Sequence, residues 1–140
     1  MAIVIKLRRD HYNEMIAHAL ADAPVECCGI VALKDGYSAG VHQAVNVETS
    51  PYRFSIDPRQ YLKIERAIEA ADGSVAGFYH SHTGTPPVPS PTDTRAMTGA
   101  GFVPPFIHFV VGVADRENPE VRVWHIENND KTEQQFELVD

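Results

Sequence analysis

The residues best suited to chemistry are gathered in Phe78-Tyr79-His80-Ser81-His82, followed by Ser90 and Asp93. Val75–Ser81 reads as a strand. Two residues apart at the end of a strand, His80 and His82 point their imidazoles to the same face. Such a pair can bind one metal ion if a third ligand arrives from elsewhere. Asp93 is the natural candidate: it lies just inside the first turn of a short helix, after a loop stiffened by Pro86, Pro87, Pro89 and Pro91. Two His and one carboxylate leave tetrahedral zinc one position short, and a water in that open position is the mark of a catalytic site. That water needs a base. Glu26 is the candidate, as the only carboxylate in the mostly apolar Val25–Leu33 strand, where an unpaired carboxylate is costly. Beside the metal it would be hydrogen-bonded and able to move a proton. Ser90 could donate a hydrogen bond to the oxygen that becomes negative during attack on an amide.

Each residue also has an ordinary use. A bare His-x-His carries little weight, because seven His in 140 residues give on the order of 0.3 such pairs by chance. Requiring the Ser and the Asp at their spacings lowers the expectation to roughly 10⁻³. Taken singly, the histidines could be satisfied strand residues, Asp93 a helix-start residue favoured by the dipole, Ser90 an N-cap and Glu26 half of an ion pair. The adjacent Cys27 and Cys28 face opposite ways on a strand, so they read as small buried residues, with Cys28 on the face of Glu26. His108 and His125 read as structural, and His11, His18 and His42 as surface residues. The Pro-rich loop reads as a rigid wall of the site, in preference to a polyproline ligand for a partner.

The surrounding elements follow from pattern. Residues 3–8 alternate as an opening strand. Asp10 is a good N-cap for an amphipathic helix over 11–21, with Tyr12, Met15, Ile16, Ala19 and Leu20 on its buried face. Val41–Val47 and Tyr52–Ile56 are expected strands. Asp57, Pro58 and Gln60 predict a second helix with a capping box, burying Tyr61, Ile64, Ala67 and Ile68. Ser90 or Thr92 caps a short helix running to about Gly99. Strands follow at Phe106–Ala114, Val121–Ile126 and near 132–139. This order favours an α/β (α+β) fold, with a mixed sheet and helices on it, over a doubly wound one.

Composition excludes other classes. One domain spanning 1–140, with 44% hydrophobic and 22% charged residues, is globular. A net charge of −7 with scattered Lys and Arg offers no nucleic-acid surface. The longest apolar run is too short to cross a membrane. The N-terminus does not read as a signal peptide, and two free thiols fit a reducing, cytoplasmic compartment. No glycine-rich phosphate loop is present.

Read together, HSHTGTPPVPSPTD and PVECCGIV resemble the motifs of the JAMM (MPN+) zinc metallopeptidases. The resemblance covers roughly 3–127. It implies a cytidine-deaminase-like JAMM/MPN fold, with a mostly antiparallel mixed sheet, two main helices and a short one. It also implies one Zn2+ held by His80, His82 and Asp93 with a water as fourth ligand, Glu26 as base and Ser90 as helper at the oxyanion. The stretch SPYRFSIDPRQYLKIERAIEAADGSVAGFYHSHT is similar to the short bacterial branch acting on ubiquitin-like sulfur-carrier proteins. The expected activity is therefore hydrolysis after a carrier's C-terminal Gly-Gly tail, releasing cysteine or a similar adduct. The segments around the motif leave little room for the insertions with which deubiquitinases grip a second ubiquitin. Thr83 departs from the Pro common after the second His. Alternatives are a peptidase on cell-wall or phage-tail peptides and a non-catalytic MPN-type scaffold. The carrier or its tail is the expected partner, and a homodimer is allowed for.

Overall fold

The computed structural model describes residues 4–99 and 107–140. Ile3 and Phe106, expected to open two of the strands, lie outside them. In chain order the elements are β1 (Ile5–Arg8), α1 (Arg9–Asp22), β2 (Cys28–Lys34), β3 (Tyr37–Ala44), α2 (Pro58–Ala70), β4 (Ser74–His82), α3 (Pro91–Gly99), β5 (Ile107–Gly112), β6 (Glu120–Glu127), β7 (Asp130–Gln134) and β8 (Phe136–Val139). The strands form one mixed sheet in the order β7-β6-β5-β4-β2-β3-β1-β8. β4 runs antiparallel to β2 and parallel to β5. The α+β expectation holds.

The last segment is two strands where one was expected. β7 pairs with β6 at one end of the sheet, while β8 pairs in parallel with β1 at the other. Only Gln135 separates them, so the two ends of the sheet must meet there. The sheet curls around α1, which touches β1, β3, β4, β5 and β6. Met15 and Ala19 of α1 are buried against Tyr79, Phe109, Val111 and Val123. On the other face Ile68 of α2 packs with Ile30, Ala32 and Phe78. Burying apolar surface on both sides explains why β2, β4 and β5 read as apolar runs with little alternation.

Several local expectations are corrected. α1 begins at Arg9 and has no side-chain cap; Asp10 sits in its first turn and accepts from the His11 N–H. His18 is buried, with Nδ1 2.7 Å from the Tyr79 hydroxyl and Nε2 3.2 Å from Asp22. Its helix pattern placed it outside the apolar stripe and gave no sign of a partner on β4. Tyr52–Ile56 is not a strand, and Ala67 is exposed. Asp57 does cap α2, accepting from the Arg59 N–H, but Gln60 reaches out to the Val45 N–H instead of closing the box. Helix propensity identified the cap; a nearby orphan donor in the loop claimed the amide.

The parallel pairing of β4 and β5 depends on Gly77. A Cβ there would overlap the Ile107 carbonyl oxygen. Gly77→Ala should therefore cost about 1–3 kcal/mol, read by urea unfolding. A variant as stable as wild type would mean that the strands are not this close.

Candidate metal centre

The register of β2 against β4 brings the predicted residues together. Cys28 pairs with His80, and the Ser81 N–H donates to the Cys27 carbonyl at 3.1 Å. The Cys27 N–H donates to Ser81 Oγ at 2.8 Å. Continued by one residue, this ladder sets Glu26 opposite His82. Glu26 itself precedes the strand, correcting the expectation that it lies within it. Its backbone is instead pinned by residues 45–56: the Glu26 N–H donates to the Ser50 carbonyl at 2.9 Å, and Asn46 Nδ2 donates to the Glu26 carbonyl at 3.0 Å. Asn46 also donates to the Arg53 carbonyl and accepts from the Glu48 and Ser55 N–H groups. Nothing in the sequence singled out Asn46, because each of these partners is supplied by the folded loop.

Asp93 arrives from α3 with its orientation set by a capping box. The Asp93 N–H donates to Ser90 Oγ at 3.1 Å, and the Ser90 N–H donates to Asp93 Oδ2 at 2.9 Å. Ser90 is thus the N-cap, and both ordinary readings, cap and helix-start residue, are true of the pair. The hydroxyl oxygen accepts from the helix, which leaves its proton available for donation. The Pro-rich loop between β4 and α3 is held by its own carbonyls. Pro86 O lies 2.8 Å from His82 Nδ1, Pro87 O accepts from Trp124 Nε1 at 3.0 Å, and Pro89 O accepts from Lys131 Nζ at 2.9 Å. That agrees with the wall reading.

At the centre, His80 Nε2, His82 Nε2 and Asp93 Oδ2 form a triangle with every side 3.1 Å. All three residues are buried, and theirs is the one such cluster among the described residues. Tetrahedral bonds of about 2.0–2.1 Å to zinc require ligand atoms about 3.3 Å apart. The outer nitrogens are occupied, His82 Nδ1 by Pro86 O and His80 Nδ1 by His108 Nε2 at 2.9 Å. Both Nε2 atoms therefore turn toward one point. Two imidazoles and a carboxylate are a donor set suited to zinc. Phe54 stacks on His80, its centroid 4.6 Å away at 18°. Sequence reading missed Phe54 by placing it in a strand.

The two carboxylates are driven in opposite directions. Burial raises the Glu26 pKa to about 8, with His82 opposing and Asp93 adding to the rise. Glu26 is 3% exposed, and its Oε1 is buried with no hydrogen-bond partner among the described residues. Burial acts on Asp93 in the same sense, but hydrogen bonds from His80, His82 and the Ser90 N–H outweigh it and hold the group well below the carboxylate range. Burial lowers the His80 pKa. His82 is raised despite its burial, through Asp93, the Pro86 carbonyl and the Glu26 charge. Burial pushes both cysteine thiols up to about 12, which keeps them protonated and inert, as expected of small core residues.

Residues 8–127 match the family described as prokaryotic homologs of the JAB domain. The chain belongs to this family. It is a JAMM-type hydrolase, similar to a "CysO-cysteine peptidase" of Mycobacterium tuberculosis: 35% identical over 140 residues, covering 98% of this chain and 92% of the relative. A "Desampylase" of Haloferax volcanii is 33% identical over 106 residues, 71% of this chain and 76% of the relative. Among solved structures, protein DSY2949 of Desulfitobacterium hafniense superposes with a TM-score of 0.85 at 28% identity, covering 98% of this chain and 94% of that one.

Two outcomes follow from the charges. A metal must displace protons from His82, whose pKa lies above the ordinary value of 6.5. Zinc affinity should therefore fall as pH drops from 8 to 6, with protons released on binding, as calorimetry in buffers of different ionisation enthalpy would show. A pH-independent affinity would mean that His82 carries no proton for the metal to displace in this range. Glu26 binds its proton more tightly folded than unfolded between pH 4.5 and about 8. Its contribution is complete below pH 4.5 and is lost as pH rises toward 8. Metal-free Glu26→Gln should thus melt higher than metal-free wild type at pH 8 and converge with it near pH 4.5.

Proposed function

We propose that this chain is a zinc-dependent peptidase that hydrolyses the bond after the C-terminal Gly-Gly tail of a ubiquitin-like sulfur-carrier protein and releases cysteine or a similar adduct. The observation that carries the reading is the convergence of His80, His82 and Asp93 on one point, with the unpartnered Oε1 of Glu26 in the same buried site. The near full-length likeness to a CysO-cysteine peptidase supports the substrate class, and the likeness to a desampylase agrees with it. Free, buried cysteines are consistent with a cytoplasmic setting, which is part of the same proposal.

A single zinc ion held by His80, His82 and Asp93 would supply Lewis-acid chemistry, polarising the scissile carbonyl and acidifying water. The protein's own groups do the rest. Glu26 takes a proton from the attacking water and returns it to the departing amine. A carboxyl group poised near neutral pH suits both steps, because it can be emptied and refilled at little cost. The Ser90 hydroxyl donates a hydrogen bond to the carbonyl oxygen as negative charge develops there. Asp93 stays ionised throughout, its Oδ2 held by the Ser90 N–H and turned toward His80 and His82. The Pro-rich loop, tied through its carbonyls to His82, Trp124 and Lys131, walls the site, and a narrow Gly-Gly tail would suit such a cleft.

The test is incubation with a ubiquitin-like sulfur carrier extended by one C-terminal cysteine, followed by intact mass spectrometry. Wild type should remove one residue, and a chelator should stop it. Glu26→Gln should keep zinc while losing about 10²–10⁴-fold in rate. Zinc bound without cleavage would refute the substrate and favour other short peptides. A protein that takes no zinc would return the chain to a scaffold role.

A further inference from the structure

His108 lies on the face of the sheet that carries His80, because the parallel register sets it beside Phe78. It is completely buried, and its Nε2 is 2.9 Å from His80 Nδ1. Its own Nδ1 is buried with no hydrogen-bond partner among the described residues. We propose that His108 is a positioning residue for the metal ligand His80, acting as a neutral hydrogen-bond acceptor that locks its tautomer and ring orientation. The proposal rests on the reading of His80 as a zinc ligand.

The argument is one of donors and acceptors. An imidazole that offers Nε2 to a metal must carry its proton on Nδ1. For His80 that proton faces His108 Nε2, which must then accept it. His108 in turn must keep its proton on Nδ1, the atom that lacks a partner. An orphaned buried N–H is rare and costly. The fold tolerates it here on the one ring that hands an acceptor to a metal ligand. A metal-bound His ordinarily donates its second nitrogen to a carboxylate, a carbonyl or water. This site uses a second, uncharged His, so no further anion is added beside Asp93 and Glu26. Phe54, stacked on the His80 ring and 5.9 Å from that of His108, limits rotation of the pair.

Full-length protein is stripped of metal, and zinc affinity is measured by competition with a chromophoric chelator. The melting temperature of the metal-free form is recorded alongside. His108→Leu fills similar space without an acceptor and should bind zinc about 10–100-fold more weakly, with metal-free melting close to wild type. His108→Gln offers an amide oxygen near the Nε2 position and should recover most of that loss. In zinc-loaded wild type, two-bond ¹⁵N–¹H spectra should show His108 protonated on Nδ1. This last readout decides the matter even if His108→Leu fails to fold. A His108→Leu affinity within threefold of wild type, or a His108 protonated on Nε2 in the loaded protein, overturns the role of His108. Wild type that binds no zinc at all overturns the metal-site reading instead, so the two failures are told apart.

Discussion

The register between β2 and β4 is the constraint on which the rest of the site depends. Side chains alternate along a strand, so a slip of one residue would turn His80 and His82 to the α1 face and carry Glu26 away from them. The pairing of Cys28 with His80 prevents this, and the bonds between Cys27 and Ser81 extend it past the end of β2. Gly29 reinforces the register by sheer lack of bulk, since a Cβ there would collide with Tyr79, its partner on β4. Steric exclusion and hydrogen bonding thus agree on one alignment. Both the ligand strand and the segment bearing Glu26 inherit their positions from it.

Electrostatics then separates groups of the same chemical type. Glu26 and Asp93 are both nearly inaccessible, at 3% exposure each. One is surrounded by donors and stays ionised; the other has a buried oxygen without a donor and holds its proton to about pH 8. Environments that push two carboxyl groups apart are what divide ligand from acid–base group in an active site. The histidines follow the same logic: His80, enclosed by Phe54 and His108, favours neutrality, while His82, facing Asp93 and the Pro86 carbonyl, favours its proton.

Economy is evident in the short segment from His82 to Asp93. A Ser-x-x-Asp capping box starts α3, and the carboxylate that closes it is also turned toward the two imidazoles. Local helix-forming chemistry therefore sets the aim of a candidate ligand. The prolines before it stiffen the chain, yet their carbonyls find Trp124, Lys131 and His82.

His80, His82, Asp93 and Ser90 were legible in the sequence because spacing along a strand and a helix cap are local properties; Glu26 stood out as the lone carboxylate of an apolar run, although it precedes the strand it was expected in. The helices and most strands were legible for the same reason, since apolar periodicity records which face is buried. The junction at Gln135 was not, because nothing local tells a strand to leave one end of a sheet and join the other. His108, Phe54, Asn46 and His18 were likewise silent. Each acquires its role from a partner far along the chain: His80 for the first two, Glu26 for Asn46, Tyr79 for His18. Residue type and spacing determined which groups could meet a metal. Only the curl of the sheet and the register of its strands decided what stands behind them.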